Sequence, residues 1–206
     1  MENKNIEEFK KNGYCKVKNA VSQDVVDLYS QYALFDELQD YAPDQHQVFG
    51  AHAKYADPAM ESMLLFLKTT VEKNTGLSLY PTYSFYRVYR SGNELVNHKD
   101  RESCEISTTV CFNYDYKNNN YSWPIYMNEN PVDLLPGDMV IYRGCDLDHY
   151  RNKLDIYDEG IWHVQGFFHY VDANGPYADF KHDRRENIGM LKNTIEDKKS
   201  YIEYTK

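Results

Sequence analysis

The chain has 206 residues, 42% hydrophobic and 27% charged, which is the composition of one folded domain and not of a disordered chain. Its formal net charge of −9 argues against nucleic acid as the main partner, because phosphate binding needs a basic field. No apolar run approaches the roughly 18 residues of a membrane span, and Met1-Glu2-Asn3-Lys4-Asn5 opens no apolar signal segment. The four cysteines (Cys15, Cys104, Cys111, Cys145) form no C-x-x-C pair and read as reduced, buried residues of a cytoplasmic protein. Twenty tyrosines point to a β-rich fold with half-exposed sheet surfaces.

In chain order, residues 6–11 predict a short helix stopped at Gly13, followed by an alternating strand over 14–17. Ser22 is placed to cap a helix in which Val25, Leu28, Tyr29 and Tyr32 recur at helical spacing. A longer helix has Asp57 at its cap, Pro58 at its first position and an apolar stripe of Met60, Met63, Leu64, Leu67 and Val71, with Gly76 ending it. After Leu79 the period changes to two. Strands are predicted over 83–90, 105–114, 123–127, 139–143 and 161–171, with turns at Ser91-Gly92-Asn93 and Pro136-Gly137-Asp138 and a loop tip at Asn118-Asn119-Asn120. The expected fold is mainly β with N-terminal helices: a curled antiparallel jelly roll, helices on one face. We divide the single domain into a helical support region (1–80), a jelly-roll core (81–175) and a C-terminal extension (176–206). The tail from Lys181 alternates charges with few apolar anchors and reads as an exposed or partly ordered end.

The residues that carry chemistry are His98, Asp100 and His149. In H-x-D the two side chains share one face of an extended segment. Two imidazoles and one carboxylate leave half a coordination sphere open, the ligand set of non-haem Fe(II) oxygenases. In a chain with seven histidines an H-x-D arises readily by chance, so the pattern alone is weak. Its context is stronger. The motif follows a strand and the Gly92 turn, a second histidine closes the strand-turn unit from Pro136 to His149, and a long apolar strand containing His163 and His169 completes the set.

Four pieces occur in order: Tyr89-Arg90-Ser91-Gly92-Asn93-Glu94-Leu95-Val96-Asn97-His98-Lys99-Asp100, the strand 105–114, Pro136-Gly137-Asp138, and His149. Together the stretch 83–172 resembles the catalytic core of the Fe(II)/2-oxoglutarate-dependent dioxygenases, in particular their prolyl-4-hydroxylase-like branch. Asn12-Gly13-Tyr14, the helix near Asp24 and the Pro58 helix resemble the family's usual preface to its double-stranded β-helix. The resemblance implies His98, Asp100 and His149 as Fe(II) ligands, with 2-oxoglutarate and O2 as co-substrates. It implies hydroxylation of a C–H bond, a prolyl group being one candidate, coupled to conversion of 2-oxoglutarate to succinate and CO2. A small-molecule or peptide substrate suits such a site.

The sequence departs from the family at one point. The usual Arg or Lys for the 2-oxoglutarate C5 carboxylate, about ten residues past the distal histidine, is missing, since 155–168 contains neither residue type. His163 stands there instead; it can donate to a carboxylate, and as imidazolium it would also supply charge. Arg87, on the same strand face as Tyr89, is the other candidate, with an ion pair to Glu105 as its plainer explanation. Tyr89 aligns with a family tyrosine that reaches the co-substrate. Thr108 aligns with a family threonine, Thr109 taking its place under a one-residue slip, and Phe112 falls where some members carry a tyrosine hydroxyl. Arg101, Arg143, Asp146, Tyr150, Arg151 and Trp123 are expected near the mouth, whereas His46, His52, His169 and His182 have no ligand spacing. Two other readings are a non-catalytic jelly-roll binding protein, supported by the missing basic residue, and a cupin-like metal protein, disfavoured because no short strand holds several histidines.

Overall fold

A computed structural model describes residues 4–117, 120–158 and 160–190. Helix α1 (Lys4–Asn12) leads into β1 (Tyr14–Val17), then α2 (Gln23–Gln39), β2 (His52–Tyr55) and α3 (Pro58–Thr75). The Asp57 carboxylate accepts from the backbone N–H groups of Ala59 and Met60 at 3.0 and 3.1 Å, which caps α3. Gly76, at φ 75°, ends it in the left-handed conformation that glycine adopts without strain. The stripe from Met60 to Val71 is buried as the spacing predicts. In α2 the spacing misleads. Ser22 occupies the cap position without a side-chain bond, Leu28 is 63% exposed, and the buried face is Val26, Ser30 and Ala33. Apolar residues surround this helix on several sides, so periodicity alone does not select the face that meets the sheet.

The remaining strands are β3 (Leu79–Tyr89), β4 (Leu95–His98), β5 (Ile106–Asp115), β6 (Ile125–Met127), β7 (Asn130–Val132), β8 (Met139–Arg143), β9 (His149–Arg151) and β10 (Trp162–Asp172). They form two antiparallel sheets, ordered β1-β8-β5-β10-β3-β2 and β4-β9-β6-β7. This is the expected jelly roll. Two differences follow from tertiary pairing: β1 and β2 lie among the N-terminal helices yet extend both edges of the large sheet, and a further 3-10 segment, Ala178–Arg184, follows the last strand. Only the second half of the predicted 123–127 strand pairs; Trp123 lies outside it.

Because side chains alternate along a strand, the large sheet has one face toward the helices and one toward the barrel interior. Val88, Val110, Phe112, Val164, Phe168 and Tyr170 pack with Val26, Leu64 and Leu67 on the helical side. Strands β3 and β10 pair with Arg87 opposite Gln165 and Tyr89 opposite His163. Gly166 follows Gln165, opposite Tyr86, where a Cβ would lie 2.6 Å from the Phe112 ring.

The tail differs from its expected exposure. Asp183 and Arg185 are buried, Asp183 receiving Arg101 at 2.7 and 2.9 Å and Arg185 donating to Glu61 at 2.7 and 3.1 Å. These two charges are therefore docking contacts, to Arg101 and to Glu61 of α3, whereas Lys181, Arg184 and Glu186 are exposed as expected. Residues 191–206, and Asn118 and Asn119 of the loop tip, lie outside the described residues. The four cysteines are free, and Cys15, Cys104 and Cys111 are buried. Among the described residues no helix is long and apolar enough to cross a membrane.

Candidate metal centre

Short strands of the small sheet carry the imidazoles. β4 and β9 pair antiparallel with His98 opposite His149, which brings the ring centroids to 4.2 Å. Asp100 follows β4, held by its backbone N–H donating to the Gly144 carbonyl at 2.9 Å. Its Oδ1 lies 3.7 Å from His98 Nε2 and 3.6 Å from His149 Nε2. The ligand atoms of all three residues fall within 4.8 Å of one another.

The second ring nitrogens fix the tautomers. His98 Nδ1 is 2.8 Å from the Val96 carbonyl and His149 Nδ1 is 3.0 Å from the Leu147 carbonyl. A carbonyl only accepts, so each Nδ1 carries the proton and each Nε2 turns its lone pair toward Asp100. Separations of 3.6–3.7 Å are too long for hydrogen bonds. Two lone pairs and a carboxylate oxygen converging without touching are the donor set of a divalent cation, and His98, Asp100 and His149 fit one.

Burial by itself would raise the Asp100 pKa. The imidazoles of His149, then of His169 and His98, outweigh it electrostatically and hold the carboxyl well below the usual range. Burial, with His149 adding to it, pushes His98 down to about 4, so at neutral pH this ligand is already deprotonated. For His149, burial works the other way but is overcome by Asp100, and the pKa is raised.

Residues without ligand spacing support the centre. Asp100 Oδ2 accepts from Ser107 Oγ at 2.8 Å, and Ser107 Oγ lies 2.9 Å from His169 Nδ1. Gly144 lets Asp100 approach: a Cβ there would collide with both Asp100 Oδ2 and the Cys104 carbonyl. His169 shares the interior face of β10 with His163, a signal legible only once that strand's inward parity is known. Cys104 also lies near Asp100 and His169, but burial drives its thiol pKa well up, which keeps it protonated.

The centre opens into a cleft of about 790 Å³, its mouth included, walled by Phe85, Phe167, Leu95, Arg87, Lys99 and Arg101 among others. Arg87 projects into this wall with its charge already matched. Its Nε and Nη2 donate to Asp44 Oδ2 at 2.9 and 2.7 Å, so its partner is Asp44 and not Glu105, whose carboxylate instead accepts from the Asp172 N–H. Asp44 sits in the loop before β2, where His46 and Gln47 also reach the cleft.

The other sequence candidates divide between the faces. Thr108 points to the helical side, its hydroxyl donating to the Phe168 carbonyl at 3.2 Å, while Thr109 faces inward and receives Gln165 Nε2. Phe112 also faces the helices and stacks on Tyr29 at 5.4 Å. His163 is buried inside the barrel and fully bonded. Its Nε2 donates to Gln165 Oε1 at 2.5 Å, so Nδ1 accepts from Tyr116 Oη at 2.6 Å. Burial, reinforced by the Arg151 charge, lowers its pKa to about 3, which removes the imidazolium the sequence left open. Tyr89 is fully buried, and its Oη faces the Arg87 guanidinium. Of the six residues expected at the mouth, only Arg101 lines the cleft. Arg143 covers the Phe9 ring, Tyr150 stacks on Tyr126, Asp146 is exposed, and Arg151 and Trp123 lie inside the barrel.

No protein-family model matches the chain, and no curated protein matches it in sequence. Solved structures do. A Pseudomonas putida prolyl-4-hydroxylase superposes with a TM-score of 0.60 at 14% identity, over 80% of this chain and 96% of that one. The non-haem α-ketoglutarate-dependent carbocyclase SnoK of nogalamycin biosynthesis gives 0.64 at 12% identity, over 94% and 95%. HygX from Streptomyces hygroscopicus, solved with nickel and 2-oxoglutarate bound, gives 0.62 at 12% identity, over 84% and 88%. At these identities the likeness is one of fold, and the chain has the double-stranded β-helix fold of the Fe(II)/2-oxoglutarate-dependent oxygenases.

Proposed function

We propose that the protein is a non-haem Fe(II)- and 2-oxoglutarate-dependent oxygenase that hydroxylates a C–H bond of a small molecule or a peptide residue. The observation that carries this reading is the convergence of His98 Nε2, Asp100 Oδ1 and His149 Nε2 at the floor of an open cleft. Bound Fe(II) with 2-oxoglutarate supplies the activation of dioxygen; the chain supplies the setting. His98, Asp100 and His149 hold the metal, Ser107 fixes the Asp100 carboxylate, and the Gly144 carbonyl fixes the Asp100 backbone. Phe85, Phe167 and Leu95 give the cleft an apolar wall that limits water. Lys99 and Arg101 put cationic groups beside the cleft for a polar substrate.

A prolyl group is the finer form of the proposal. It is supported by the likeness to the Pseudomonas putida enzyme and to a viral collagen prolyl hydroxylase, with a TM-score of 0.58 at 8% identity. The alternative is a non-catalytic jelly-roll binding protein, favoured by one observation: the usual basic position of the last strand holds a neutral, fully bonded His163.

The test loads the protein anaerobically with Fe(II), adds 2-oxoglutarate and records the visible spectrum, then admits oxygen with free proline, proline-rich peptides and other small metabolites in turn. The expected result is a weak charge-transfer band and succinate formed in step with one hydroxylated product. Iron binding without that band, and no succinate, would establish the non-catalytic reading.

A further inference from the structure

Arg151 has a position that the metal centre does not explain. It is 2% exposed, and its acceptors are the Trp123 carbonyl and, at 3.0 Å, Gln165 Oε1, both neutral. Its guanidinium lies 4.6 Å over the Trp123 ring. Among the described residues no carboxylate is within ion-pair distance of it, whereas Arg87, Arg101 and Arg185 each have one. A guanidinium cannot shed its proton at any accessible pH, and a buried cation without a counter-charge costs several kcal/mol. Such a group is kept where an anion comes to meet it.

The place of that anion follows from strand geometry. Arg151 is two residues beyond His149 on β9, so both side chains share the interior face, about 6.8 Å apart along the strand. That spacing is on the scale of a five-carbon dicarboxylate with one end at the metal. Leu95, the register partner of Arg151, is in the wall of the metal cleft, and Arg151 lies behind that wall, not in it. The Tyr89 ring packs 5.0 Å from the same Trp123 ring, with its buried Oη beside the already paired Arg87. A carboxylate can accept from a guanidinium fork and a phenol together.

We infer that Arg151 binds the distal carboxylate of a 2-oxo dicarboxylic acid, with Tyr89 as a second donor. The inference rests on the co-substrate reading above and names the residue that replaces the missing last-strand cation. Gln165 is the hinge of the site. Its Oε1 holds Arg151 and its Nε2 holds Thr109, so the fork is oriented before ligand arrives.

The experiment titrates 2-oxoglutarate and 2-oxobutanoate, which keeps the chelating end and lacks the distal carboxylate, into the anaerobic Fe(II) protein. It compares wild type with Arg151→Met, Arg151→Lys and Arg87→Met, reading the charge-transfer band and bound iron. Arg151→Met should weaken 2-oxoglutarate by about tenfold or more and leave 2-oxobutanoate unchanged, with iron still stoichiometric. Arg151→Lys, which keeps the charge without the fork, should fall between, and Arg87→Met should stay within about twofold of wild type. Loss of 2-oxoglutarate in Arg87→Met beside unchanged affinity in both Arg151 variants would overturn the inference and leave the co-substrate reading intact. Failure of iron-loaded wild type to bind 2-oxoglutarate would overturn that reading instead.

Discussion

Arg87 and Arg151 are both buried guanidinium groups on barrel strands, 4% and 2% exposed, but the loop before β2 lays Asp44 against Arg87 whereas Arg151 meets only neutral oxygens. At the metal end of the interior the Asp100 carboxylate faces the Nε2 atoms of two imidazoles, and the arginine beside them is paired. The deep end is complete apart from an anion. Buried charge left open in two places, with opposite signs, describes a ligand that binds metal at one end and carries a carboxylate at the other.

Removing the metal ligands should break the first half of this contrast with the largest effect. Asp100→Ala, His98→Ala and His149→Ala should each reduce bound Fe(II) from one per chain to near zero, because two remaining donors hold labile ferrous iron poorly. Iron counts by mass spectrometry at wild-type level in all three variants would remove the site.

Asp44→Ala tests whether Arg87 is truly compensated. It strips a buried guanidinium of its counter-charge and releases the N–H groups of His46 and Gln47 that Asp44 caps. A loss of about 3–5 kcal/mol in urea unfolding is expected. A loss below about 1 kcal/mol would mean that the two arginines do not differ in kind.

His163 offers a pH test of the deep end. Its folded pKa of about 3 lies below the ordinary 6.5, so the unfolded chain takes up a proton that the folded chain refuses. Stability from this group is therefore full above pH 6.5 and declines as pH falls toward 3, by roughly 2 kcal/mol between pH 7 and pH 5. His163→Gln should lose less stability over that interval than wild type. Its 2-oxoglutarate affinity should also change equally at pH 6 and pH 8, since the imidazole is neutral at both. A loss confined to pH 6 would give the histidine the anchoring charge and take it from Arg151.

The smallest effect is expected at Gly144, where Gly144→Ala displaces Asp100 from its partners without touching the ligand set. Iron affinity should fall about tenfold, roughly 1.4 kcal/mol, while the far-ultraviolet circular dichroism stays unchanged. Unchanged affinity would show that the carboxylate needs no such close support.

Much of this architecture is local and so was readable along the chain. Asp57, Pro58 and Gly76 bound α3 because caps and φ preferences act over three or four residues. The major strands were visible because alternation over eight or more residues is unambiguous, whereas β2, β4, β7 and β9 span only three or four residues and are held by pairing alone. The H-x-D spacing and the distant His149 name the metal donors because ligand chemistry restricts residue types. It was the register of His98 opposite His149 that joined residues 51 positions apart in sequence into one set.

What the sequence by itself determined is the inventory: a jelly roll behind helices, three residues of metal-binding type, and a last strand with no lysine or arginine from 155 to 168. Tertiary structure decided which charges are satisfied. Arg87, Arg101, Arg151 and Arg185 are the same residue in the sequence, and no local pattern tells which will meet Asp44, Asp183 or Glu61 across 43, 82 or 124 positions. The Coulomb term depends on distance in space and on burial, neither of which has a period along the chain. That is why the arginine left without an anion, and the site it marks, appear only in the folded barrel.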